Sequence, residues 1–197
     1  VIGAGGIGSA LITNAAITGF NHIRVWDHDT LEPHNLSTTT YPTHHLYTPK
    51  AKAAEHQAKE YGAKLVTPHV KPWRHGDPLG KKVFMAPDNM EVRREVYDTW
   101  QKNPRREFLI DMRMGALSME IVTVTKDHDY FMDDWMASDD IQDESCTAKH
   151  TIFTGSISSG LGLTQAFKVL SKRPYYAYIW MSPSPISLRR SNPIKNN

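Results

Sequence analysis

Near its start the chain reads Gly3-Ala4-Gly5-Gly6-Ile7-Gly8, with Gly3, Gly5 and Gly8 in the G-x-G-x-x-G spacing. Glycine permits the positive φ of a tight turn and lets backbone amides approach a phosphate. Ile7 to Thr18 is small and apolar and reads as a helix stopped by Gly19. Such a helix offers free N–H groups and its positive dipole end to an anion. Val1-Ile2 reads as the end of a buried strand, and Ile23 to Trp26 as a second strand closing on Asp27. Asp27 stands 19 residues beyond Gly8, where a carboxylate accepts hydrogen bonds from ribose hydroxyls. These residues together describe a nucleotide site, and their spacing allows ATP and NAD equally.

Two other residue types carry possible chemistry. The single cysteine, Cys146, precedes Thr147 and a helix, with Lys149 nearby, and both features favour the thiolate. Asp143 and Glu144 push the other way. Ten histidines, His44-His45 among them, raise the question of metal, but no H-E-x-x-H or comparable spacing occurs, so they read as exposed loop histidines.

The elements that must position these groups alternate. Helices are expected over 49–61, with Pro49 in the first turn, and over 89–102, capped by Asp88 or Asn89. A long helix follows over 151–170, with Gly155, Ser159 and Gly162 as close-packing positions. Strands are expected over 65–70, 83–86, 108–111 and 120–125. This alternation predicts an α/β fold, Rossmann-like and doubly wound, with a mostly parallel sheet flanked by helices. One nucleotide-binding domain is expected over 1–171. Residues 172–197 form its tail, with a strand over 175–180 and then loose Pro- and Ser-containing sequence. A nucleotide-binding strand normally needs several residues before the glycines, so the start of that strand is expected to be missing.

Composition sets the bounds. The chain has 197 residues, 40% of them apolar, enough for a buried core. One cysteine excludes an internal disulfide and a cysteine-rich zinc site. No stretch reaches the length of a membrane span, and no signal peptide precedes the first motif, so the cytoplasm is the expected compartment. The formal charge of +2 calls for neither nucleic acid nor membrane as a partner. It is unevenly spread: residues 127–144 hold eight acids and no Lys or Arg, leaving 23 bases against 13 acids elsewhere. A basic body suits an anionic ligand.

Residues 27–36, Asp-His-Asp-Thr-Leu-Glu-Pro-His-Asn-Leu, resemble the D-x-D-x-(V/L)-x-x-x-N-L signature of the ThiF/MoeB and ubiquitin-activating-enzyme superfamily. Four further segments match in order: Pro49-Lys50-Ala51; Pro87-Asp88-Asn89 with Arg93; Asp111 to Gly115; and Cys146-Thr147-Ala148-Lys149. The resemblance implies an adenylyltransferase that uses ATP and Mg²⁺ to activate the C-terminal carboxylate of a ubiquitin-like protein or peptide, working as a homodimer. It implies that Gly5, Gly6 and neighbouring amides face the phosphates. Asp27 would bind the ribose with Asp29 behind it, and Asn35 and Lys50 (Lys52 as an alternative) would meet phosphate oxygens. Asp88 would hold Mg²⁺, supported by Asn89, and Cys146 would be the acyl acceptor. The family's arginine three residues after the asparagine is Thr38 here, and its paired Cys-x-x-Cys zinc sites are absent. Two other readings remain open: an NAD-dependent oxidoreductase on the same glycine turn, and a catalytically weakened nucleotide-binding regulatory protein.

Overall fold

The computed structural model describes residues 1–115, 117–129, 151–183 and 185–195. Ile2 pairs in parallel with Trp26 on one side and Met85 on the other, so it is the last rung of a central strand. From it the chain enters α1 (Gly6–Ile17), then β1 (His22–Trp26), α2 (Lys50–Glu60), β2 (Leu65–His69), β3 (Lys82–Met85) and α3 (Met90–Gln101). β4 (Phe108–Met114), β5 (Met119–Thr125) and the long helix α4 (Thr151–Leu170) follow. β6 (Tyr175–Tyr176), β7 (Tyr178–Pro183), β8 (Ile186–Arg190) and β9 (Pro193–Ile194) complete the order.

In space the sheet runs β2-β1-Ile2-β3-β4-β5-β7-β8, with β6 and β9 paired apart from it. Every pairing from β2 to β4 is parallel, and every pairing from β4 to β8 is antiparallel. The expected Rossmann-like arrangement is present, and its parallel half carries the glycine turn. The chain moves out from Ile2 through β1 to β2, then returns to β3 on the other side. That reversal is the topological switch point at which α/β sheets bind ligands, beyond the carboxyl ends of the strands.

Side-chain alternation along the strands divides the core in two. Ile23, Val25, Phe84, Phe108, Ile110 and Met112 face α1, α2 and α4, whose Leu11, Ile12, Ala54 and Leu163 cover them. Trp26, Val83, Met85, Leu109 and Val122 face the opposite way, against Val96, Tyr97 and Trp100 of α3. Each large apolar side chain buried in this way contributes about 1.5–3 kcal/mol. In β4, Asp111 and Arg113 share their parity with Leu109. Both charged groups therefore sit on the α3 face.

The small residues expected to pack closely in α4 do so inside the chain. A Cβ on Gly155 would lie 2.8 Å from the Gly6 carbonyl oxygen, and one on Gly162 would overlap Met112. Asn14 Nδ2 donates to Ser159 Oγ at 3.2 Å. This face of α4 is therefore covered by α1 and β4 and does not supply a contact between two copies.

The tail is more ordered than its composition indicates. β7 adds to β5 and β8 adds to β7, so the segment read as loose extends the sheet by a hairpin. The tail tyrosines pack within the chain: Tyr178 donates to Glu120 Oε1 at 2.9 Å, and the Tyr175 hydroxyl is 2.9 Å from Thr125 Oγ1. Among the described residues no helix is long and apolar enough to cross a membrane. Cys146 and the acids from Asp133 to Glu144 lie outside the described residues.

Candidate nucleotide site

A cleft of about 940 Å³ opens over the carboxyl ends of the parallel strands. Gly3, Gly5, Gly6, Asp27, Asp29, Asn35, Lys50, Asp88 and Asn89 all line it. These residues come from three connections, the glycine turn, the one from β1 into α2 and the one from β3 into α3, and the fold brings them to one place. Gly8 and Lys52 are not among the lining residues.

The glycine turn is shaped by crowding. Gly3 has φ +88°, and a Cβ on it would lie 2.6 Å from the Ala86 carbonyl oxygen. Gly8 is buried in the first turn of α1, where a Cβ would overlap the Gly3 carbonyl. Gly5 differs: a Cβ there meets nothing within 4 Å. A Cβ on Gly6 would lie 2.8 Å from Met114 Cε and 3.1 Å from the Thr38 carbonyl oxygen, so Gly3 and Gly8 are held by backbone packing, Gly6 mainly by a side chain, and Gly5 stands in open space.

Asp27 ties this turn to the loop after β1. Its Oδ2 accepts from the Ala4 amide at 2.7 Å and its Oδ1 from the Asp29 amide at 2.9 Å. A carboxylate has about four lone-pair sites, so acceptor capacity remains for a ligand hydroxyl. Burial raises the pKa of Asp27, and the two amide hydrogen bonds only partly offset that. Ionised Asp27 is therefore destabilising as pH rises through its raised value, and a hydroxyl donor from a ligand favours the charged form.

Lys50 is not a surface lysine. It is 8% exposed, and its Nζ lies 2.8 Å from Asp29 Oδ2. Lys52 is exposed and paired with Glu55 at 3.2 Å. Burial opposes the Asp29 carboxylate, but the hydrogen bond and charge of Lys50 outweigh it and hold its pKa below the usual range. The pair's contribution to stability is present above the ordinary carboxylate range and is lost as pH falls through the depressed value. Replacing Lys50 with Met is expected to move the Asp29 titration upward, and Asp27 with it, since Lys50 also lowers the Asp27 pKa. Carboxyl ¹³C NMR across acid pH reads both groups, and an unmoved Asp29 would contradict the pairing.

Asn35 lies in a 3-10 turn (Pro33–Ser37) and accepts from the Glu32 amide at 3.0 Å, which fixes the loop beside Lys50. Asn89, not Asp88, is the cap of α3: its Oδ1 accepts from the amides of Glu91 at 2.8 Å and Val92 at 3.3 Å. A cap of this kind stabilises by about 1 kcal/mol. Asp88 is thereby left exposed at the cleft, which suits a hard cation that takes one carboxylate plus phosphate and water oxygens. Thr38 also lines the cleft, with its hydroxyl donating to the Asn35 carbonyl at 3.2 Å, so position 38 brings no cation.

Sequence reasoning gave no role to several lining groups. Arg93 and Arg113 reach the cleft from the α3 face, and both bond the carboxylate of Asp111, which is 0% exposed. Burial works against the Arg93 charge, and the Asp111 carboxylate opposes that loss. Trp26 and Trp73 also line the cleft, and each indole nitrogen is buried without a hydrogen-bond partner. His45, expected in an exposed loop, is buried against His44 and His56.

Comparison with known proteins agrees with this geometry. Residues 1–185 match the ThiF family. Among curated proteins, SUMO-activating enzyme subunit 2 of Dictyostelium discoideum is 36% identical over 104 residues, 49% of this chain and 16% of that protein. SUMO-activating enzyme subunit uba-2 of Caenorhabditis elegans is 40% identical over 62 residues, 31% of this chain and 11% of that one. Among solved structures, E. coli MccB with ATP superposes at a TM-score of 0.75 with 13% identity, covering 97% of this chain and 62% of its own. PaaA gives 0.74 with 16% identity, covering 96% and 62%. This chain therefore spans under two thirds of each of these structures and a small part of the curated relatives. The match over 1–185 covers nearly the whole sequence, and the chain belongs to the ThiF family.

Proposed function

We propose that this chain is an ATP-dependent adenylyltransferase domain that activates the C-terminal carboxylate of a ubiquitin-like protein or peptide. One observation carries the reading: Gly5, Asp27, Asn35, Lys50 and Asp88, far apart in sequence, line one cleft. In the reaction a carboxylate oxygen of the acceptor attacks the α-phosphorus of ATP. The new C–O–P linkage forms, the α–β phosphoanhydride bond breaks, and pyrophosphate leaves with the electron pair. Asp27 holds the ribose. The amides of the glycine turn, Asn35 and Lys50 offset phosphate charge, because two anions must meet. Mg²⁺ held by Asp88, with Asn89 fixing the turn, would supply further charge neutralisation. Cys146 would then take the acyl group as a thioester, releasing AMP. The relatives support the substrate class: two are SUMO-activating enzyme subunits, and MccB was solved with MccA and AMPCPP. A homodimer in the cytoplasm belongs to the same proposal.

Thermal unfolding with ATP or NAD, with and without Mg²⁺, tests the reading on wild type and Asp88→Ala. A ligand at 100 times its Kd stabilises by about 2.7 kcal/mol. ATP with Mg²⁺ is expected to raise Tm, NAD to leave it unchanged, and Asp88→Ala to lose the Mg²⁺ dependence. A rise with NAD alone would give the site to an oxidoreductase. Thr38 favours a second reading, a nucleotide-binding regulator without catalysis. Pyrophosphate exchange that depends on an acceptor carboxylate separates the two.

A further inference from the structure

Three cationic side chains of Lys and Arg type line the cleft among the described residues: Lys50, Arg93 and Arg113. They are not equivalent. Lys50 is tied to Asp29 at the end of β1. Arg93 is turned inward. It donates to Asp111 Oδ1, to the Met112 carbonyl at 3.3 Å and to the Pro87 carbonyl, so it ties the Asp88 turn to β4. Arg113 stands at the carboxyl end of β4, on the opposite side of the glycine turn from Lys50.

Arg113 is also held by a chain of fixed groups. Its Nε donates to Asp111 Oδ2 at 3.0 Å, and its Nη1 lies 4.0 Å from Glu120 Oε2. Glu120 faces it across the β4–β5 register and is itself bonded by Tyr178. The side chain is 6% exposed, yet it contributes to the cleft wall beside Asp88 and Met114. A guanidinium locked by buried carboxylates is oriented before any substrate arrives, which is the arrangement that stabilises charge developing in a transition state.

Resting on the adenylation reading above, we propose that Arg113 is the cation that meets the acceptor carboxylate as it joins the α-phosphate. Lys50 serves the nucleotide at the β1 side of the turn. Arg113 serves the junction at the β4 side, a duty that Thr38 leaves unfilled. Asp111, Glu120 and Tyr178 act through it as positioning residues.

The test uses 5′-O-(N-glycylsulfamoyl)adenosine, an unreactive mimic of the acyl-adenylate junction, against AMP, which lacks that junction. Both are titrated by calorimetry into wild type, Arg113→Lys and Arg113→Gln. The double variant Arg113→Gln/Glu120→Gln is included because it leaves no unpaired Glu120 charge if the single change fails to fold. The affinity of AMP is expected to stay within about threefold, while the mimic weakens by about 100-fold in the Gln variants and less in Arg113→Lys. A folded Gln variant in which AMP and mimic change by the same factor, or neither changes, overturns the role of Arg113 alone. Wild type that binds neither compound overturns the adenylation reading and this role with it.

Discussion

Asp111→Ala is expected to be the most destabilising single change in the described part of the chain. Its carboxylate is fully buried and bonds two guanidinium groups, Arg93 and Arg113, which are themselves 5% and 6% exposed. Removing one partner of a buried ion pair typically costs 3–5 kcal/mol, because the remaining charge is stranded away from water. Here Arg93 loses its carboxylate and Arg113 the nearer of its two, against a total stability of roughly 5–15 kcal/mol for a domain. The urea midpoint should fall accordingly, with no need for the slope to change. A quadruple variant, Arg93→Met/Asp111→Leu/Arg113→Met/Glu120→Gln, removes every charge of the group, Glu120 included, and is expected to recover much of the loss. A midpoint for Asp111→Ala within error of wild type would mean that the network does not support the fold.

The second large effect separates two glycines three residues apart. Gly8→Ala drives a Cβ into the Gly3 carbonyl, and neither backbone segment can yield without lifting α1 from the turn. Overpacking of this kind costs about 1–3 kcal/mol where side chains can adjust, and a backbone contact sits at the upper end or beyond. Gly5→Ala meets nothing within 4 Å. Stability should hardly move, but the added methyl projects into the cleft where the backbone would meet phosphate. We therefore expect Gly8→Ala to lose both melting temperature and ATP affinity, and Gly5→Ala to lose affinity alone. ATP binding left intact by Gly5→Ala would show that the turn does not face the nucleotide.

The parallel half of the fold was legible because its signals are local. The glycine turn, the end of α1 near Gly19, the start of α2 after Pro49 and the bounds of α4 can each be read from a few residues. The antiparallel half was less legible for a physical reason. β8 is an edge strand with Ile186 and Leu188 exposed and arginines at 189 and 190, so no buried face writes an alternating pattern into it. In the site, Asp27, Lys50 and Asp88 could be picked out through spacing and resemblance. Arg93, Asp111 and Arg113 lay in segments that match the family, but their joining into one buried group was not foreseen, although a signal was present. In Phe-Leu-Ile-Asp-Met-Arg-Met the two charges share one parity within an otherwise apolar strand. Such a pattern asks for a partner charge on the facing helix, and Arg93 is that partner. The choice of Asn89 over Asp88 as the cap of α3 needed the structure, since either residue type can accept the two amides.

Lysine is a flexible side chain, and fixing it removes about 2 kcal/mol of rotamer entropy. Burial of the Lys50 stem and its contact with Asp29 impose that loss when the chain folds. An arriving anion then finds an ammonium group already ordered, and the disorder that a free lysine would surrender on binding is no longer charged against affinity. On the proposed reading, nucleotide and Asp29 would share one cation, so the tightness of the ion pair would set a ceiling on how strongly that cation could hold its ligand.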